Sequence, residues 1–128
     1  MRRALEIVVS AVLGAIVACV GAIAHRSYPP IGVILAVLLV LMAAVFVRAW
    51  GGWSAIIAFA VPFVALTFLF SRPGPGGSLL IAGDGLGYAW IYASTAAFVV
   101  ACVLPPRLFG RGRPAAPATG EAAHVPGA

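Results

Sequence analysis

Charged side chains cut this chain into long apolar stretches. They fall at Arg2, Arg3, Glu6, Arg26, Arg48, Arg72, Asp84, Arg107, Arg111, Arg113 and Glu121. Between them, stretches 7–25, 27–47, 49–71 and 85–106 carry no charge. Each holds the roughly 20 residues that a helix rising ~1.5 Å per residue needs to cross ~30 Å of hydrocarbon. Lipid offers no partner to a backbone amide, so runs of this length close their hydrogen bonds internally as helices. The stretch 73–83 is short and rich in Gly and Pro, which reads as loop.

Turn residues sharpen the borders. Tyr28-Pro29-Pro30, Trp50-Gly51-Gly52-Trp53, Ser71-Arg72-Pro73-Gly74-Pro75-Gly76-Gly77 and Pro105-Pro106 interrupt the apolar pattern. They predict helices over about 5–24, 31–49, 54–70 and 88–104. The fold class is therefore all-α: a four-helix transmembrane bundle over 1–104, followed by a disordered C-terminal tail over 105–128. That tail is mostly Ala, Pro, Gly and Arg, without apolar periodicity. Pro62 falls inside the third span and predicts a kink there.

Composition agrees with a lipid solvent. The chain is 63% hydrophobic and 9% charged, against about 25% charged in soluble domains. At 128 residues it is too small to hide so much apolar surface in an aqueous core. All eight basic residues are Arg. Six of them lie in segments that share a side with the N-terminus, and Arg26 and Arg72 lie opposite. The positive-inside rule then places both termini in the cytoplasm, in a multi-pass protein of the plasma membrane. Tyr28, Tyr88 and Trp90 fall near the outer interface and Trp50 and Trp53 near the inner one, a depth that amphipathic rings prefer. The net charge of +5 speaks for topology and for anionic headgroups beside Arg107, Arg111 and Arg113, and needs no nucleic acid to explain it.

Ser10, Gly14, Ala18 and Ala22 recur every four residues, with Gly21 beside them; Ala89, Ala93, Ala97 and Ala101 repeat the pattern. Small residues at this spacing let helix backbones approach closely, so both stripes are expected to be buried in the bundle or in a dimer interface. The N-terminus has features of a processed leader. Arg2 and Arg3 precede an apolar run, Ala22-Ile23-Ala24 resembles a cleavage site, and Ile16-Val17-Ala18-Cys19 resembles a lipidation box. The apolar run exceeds the usual 7–15 residues, and no polar tether follows Cys19. An uncleaved first helix is the expectation.

The chemical inventory is sparse. No acid or base lies in the central part of any predicted span, where ion-coupled transporters hold theirs. Glu6 lies one turn from Arg2 and Arg3 and is expected to pair locally. Cys19 and Cys102 fall at depths roughly 15–20 Å apart, too far for a disulfide. His25 at a loop edge and His124 in the tail make no metal set. No cofactor is expected. Polar groups converge only on the outer face: His25, Arg26 and Tyr28 from the first loop, and Ser71, Arg72, Asp84 and Tyr88 from the second. A ligand or partner site centred on an Arg72–Asp84 pair is one reading; an ordinary polar loop with a weak surface ion pair is the other.

Ser71-Arg72-Pro73, Leu80-Ile81-Ala82-Gly83 and Leu86-Gly87-Tyr88, leading into a small-residue helix, resemble a family of short actinobacterial integral membrane proteins of unknown function. The resemblance covers about residues 4–104 and implies four helices. Family members tend to carry acids after Ser-Arg-Pro, where this chain has Gly74-Pro75-Gly76-Gly77. Without a nucleophile–base pair, the sequence points to a non-catalytic accessory or scaffold protein that associates with other membrane helices, as a partner or as a homo-oligomer. A small transporter or channel component working as an oligomer is the alternative.

Overall fold

The computed structural model describes residues 1–79, 81–105, 108 and 127. Among them it is all-α: α1 (Arg2–Ser27), α2 (Ile31–Phe70) and α3 (Gly85–Val103), with no strand. Each helix is long and apolar enough to cross a membrane. The tail's Arg107, Arg111, Arg113 and His124, and the disorder expected there, lie outside the described residues.

Three helices stand where the sequence predicted four. The segments expected at 31–49 and 54–70 form one element, α2. The intervening Trp50-Gly51-Gly52-Trp53 contains neither proline nor charge, so helical structure continues up to the break from both sides. The interruption is confined to Gly52, with φ 70° and ψ −144°. An L side chain enters that region only with strain, and Gly enters it freely. Pro62 lies inside the second arm, and Gly52 is the residue of α2 that leaves helical geometry.

Contacts along α1 run in opposite senses on the two arms of α2. On the first arm Gly32 approaches Ala24, and Gly51 lies beside Glu6. On the second arm Gly14 abuts the Phe59 carbonyl. Pairing with α1 therefore descends from residue 24 to residue 6 and then climbs again. α3 packs against the second arm through Phe59–Phe98 and Phe63–Trp90, with ring centroids 6.2 and 6.5 Å apart.

Small side chains dominate the core. Ala18 and Ala22 of α1, Ala36, Ala44 and Ala55 of α2, and Ala97 and Ala101 of α3 are buried around Ile56, Phe59 and Trp90. Ser10, Gly14 and Gly21 are buried as well. On α3 the buried line runs Gly87, Trp90, Ser94, Ala97, Ala101, leaving Ala89 exposed and Ala93 half-buried. The reason is geometric. At 3.6 residues per turn, successive steps of four drift about 40° each, whereas alternating steps of three and four stay on one face. The surface remains apolar: only 33%, 28% and 28% of the most apolar stretches of α1, α2 and α3 are buried inside the protein. Leu35, Met42, Phe46, Val61 and Phe68 all point outward.

Candidate functional site

The helix ends around the 72–84 loop gather the polar residues, in two groups. The first joins α1 to α3. Arg26 is in the last turn of α1 and Asp84 is the N-cap of α3. A cation at a helix C-terminus and an anion at an N-terminus each complement the helix dipole. The Asp84 carboxylate serves both helices: Oδ1 accepts the Gly87 N–H at 2.9 Å, and Oδ2 accepts from Arg26 Nη2 at 2.6 Å. Asp84 thus pairs with Arg26, which corrects the expected Arg72–Asp84 pair. Spacing along one loop suggested the latter, but the N-cap position turns Asp84 toward the end of α1.

The Gly87 N–H, and after it Arg26, hold the Asp84 carboxyl below its ordinary value of 3.8. A lowered folded-state value stabilises the folded protein above the unfolded value, and the contribution fades as pH falls through the folded one. In acid titrations of thermal stability in detergent, wild type should therefore lose stability relative to Asp84→Ala below about pH 3.8. Above that pH the gap should be constant. The effect is small, because the pair is exposed.

His25 lies in the last turn of α1 and is wholly buried, where the sequence suggested a loop edge. Its ring stacks on Trp90, with centroids 5.7 Å apart. Nδ1 lies 3.2 Å from the Gly21 carbonyl, which can only accept, so Nδ1 carries the proton of that bond. Nε2 is buried without a partner among the described residues, as is Trp90 Nε1. Trp90, expected near the outer interface, is the largest fully buried side chain among the described residues and is seated against Gly21.

The second group lies at the end of α2. Ser71 donates to the Thr67 carbonyl at 2.8 Å. The Arg72 guanidinium lies over the Phe68 ring, 4.7 Å from its centroid. The Ile81 N–H bonds the Phe70 carbonyl at 3.1 Å and the Ile81 side chain is buried, so the loop folds back onto the helix ends. Tyr28 is exposed, and Tyr88 stacks on Tyr92. Of the seven outer residues, Arg26, Asp84 and the buried His25 tie α1 to α3, and Ser71 and Arg72 lie at the end of α2.

Within the helices, hydroxyl groups turn back on their own backbone. Ser10 donates to Glu6 O, Thr67 to Phe63 O, and Ser94 and Thr95 to Ile91 O. Glu6 pairs with Arg2 at 3.4 Å. Both cysteines are free and half-buried. Comparison with protein-family models, characterised proteins and solved structures finds no match to this chain.

Proposed function

We propose that this is a multi-pass plasma-membrane protein that crosses the bilayer four times with both termini cytoplasmic. Its role is that of a non-catalytic accessory or scaffold protein associating with other membrane helices. The observation that carries the role is the local use of polar groups. Ser10, Thr67, Ser94 and Thr95 spend their protons on carbonyls of their own helices, and the shared core is built of Ala, Val, Ile and aromatic side chains. Such an interior suits packing rather than passage of a polar solute. The resemblance to short actinobacterial membrane proteins is in keeping with this reading.

Four crossings draw support from the reversal of pairing along α2. A straight helix of 40 residues would extend about 60 Å, twice the hydrocarbon thickness. Two arms that meet α1 in opposite senses, with the break at Gly52, each fit one crossing. Reporters before Arg2, at 51–53 and after Ala128 should then share one side of the membrane, and reporters at 28–30 and 74–78 the other. Opposite sides for the two termini would refute the topology.

One observation favours the second reading, a transporter or channel component. His25 is buried with Nε2 free of a partner among the described residues, and ionisable groups within membrane helices often serve transport. Purification in mild detergent followed by flux assays in liposomes separates the two. A stoichiometric partner protein without flux supports the accessory role. A lone oligomer that conducts, and stops conducting in His25→Phe, replaces it.

A further inference from the structure

We propose that the cleft between the second arm of α2 and α3 is a binding site for one anionic phospholipid of the leaflet on the 72–84 side. The proposal rests on the chain spanning a bilayer and is independent of the accessory role. Two cavities of about 210 and 80 Å³ share Phe63, Val64 and Thr95 in their walls and so lie side by side along one lateral seam. It runs from Ala60 and Phe98 up to Ser71. Eleven helical residues at ~1.5 Å each cover about 16 Å, close to the ~15 Å hydrocarbon depth of one leaflet. The walls combine Phe, Val, Ile and Ala side chains with four hydroxyl residues. The hydroxyls of Thr67, Ser71, Ser94 and Thr95 already donate to backbone carbonyls. An acyl chain therefore fits the groove, and a polar solute would find no side-chain donor along it.

Charge at the mouth selects the headgroup. Phe68 lines the groove, and the Arg72 guanidinium lies over its ring, which places the cation at the upper end. Arg72 has no carboxylate partner among the described residues: Glu6 is held by Arg2 and Asp84 by Arg26. A third cavity, of about 460 Å³, opens beside Arg72, between Leu69, Phe70 and the Pro73–Ser78 turn. A phosphate there would meet an unpaired guanidinium above an acyl-sized slot.

Native mass spectrometry of the full chain in detergent, titrated with phosphatidylglycerol or phosphatidylcholine, tests this. Wild type should retain one phosphatidylglycerol per chain, at least about five-fold more tightly than phosphatidylcholine, as expected for one arginine at the surface. Arg72→Gln should abolish that preference. Thr95→Trp, at an exposed position, should fill the slot and release both lipids while the thermal transition stays in place. Equal retention of the two lipids by wild type, an intact preference in Arg72→Gln, or unchanged retention in Thr95→Trp would overturn the proposal. So would disulfide crosslinking of a Val64→Cys variant to a second copy, since the groove would then be occupied by protein.

Discussion

Gly14→Leu is expected to unfold a large fraction of the protein under conditions in which wild type is fully folded. Gly14 lies where α1 meets the second arm of α2. A Cβ built there collides with the Phe59 carbonyl oxygen, and lies 3.0–3.1 Å from the carbonyl carbon and Cα of Phe59. All three atoms are backbone, so no rotamer change gives relief. The helices must separate, and with them the buried Val17, Ala18, Ile56 and Phe59. Lipid provides little hydrophobic drive between helices, so their association depends on close packing and is lost once backbones are held apart. Overpacking of a tight core costs about 1–3 kcal/mol, and more where the backbone must move. Leu should fall at or above the top of that range. Gly14→Ala should be milder, because it brings only the Cβ without the further carbons of Leu, and the helix propensity gained, about 0.5–1 kcal/mol, offsets part of that collision. Denaturation in mixed micelles of mild detergent and dodecyl sulfate measures both. Val12→Leu, on the exposed face of α1, should leave the midpoint unchanged. If Gly14→Leu does the same, this helix contact does not exist in the membrane.

Sequence pattern reached the helical class and most helix borders because charge and turn residues act locally. Arg26, Arg72 and Asp84 mark helix ends at which water must be near, and Pro29, Pro30 and Pro73 add steric stops. The five small residues of α1 were legible for a similar reason: close backbone approach demands them wherever the partner lies. The partner itself was not legible. Asp84 chooses Arg26 over Arg72 through the N-cap geometry of α3, which links residues 58 apart in sequence. His25 read as a loop-edge residue and Trp90 as an interface ring because each lies near a predicted helix end. Their mutual stack requires α1 and α3 to meet with Gly21 opposite the indole. A glycine four residues before a histidine was the available signal, and its meaning depends on what packs across from it. At Gly51-Gly52 one non-helical residue suffices to redirect the helix, so the two predicted segments stand as the arms of one element, α2.

Trp90→Ala is expected to be the most damaging truncation in α3. Trp90 is fully buried, stacked on His25 and meeting Phe63 edge to face, with its ring against Gly21. It therefore joins α1, α3 and the second arm of α2 at one point. In water, removing a buried Phe or Trp side chain costs about 3–5 kcal/mol, part of it from transfer and part from the cavity left behind. In a bilayer the transfer part shrinks, because an unpacked ring would still lie in hydrocarbon. The cavity part and the lost aromatic contacts remain. About 3 kcal/mol is the expected loss in the same mixed-micelle titration. Trp90→Phe should recover more than half of it, since a phenyl ring keeps the stack and leaves a smaller void. It also removes an indole N–H that has no partner among the described residues, so no hydrogen bond between them is given up. A Trp90→Phe variant as unstable as Trp90→Ala would mean that Nε1 is bonded in the membrane, to water or to lipid. The stability of this junction would then rest on that bond as well as on packing.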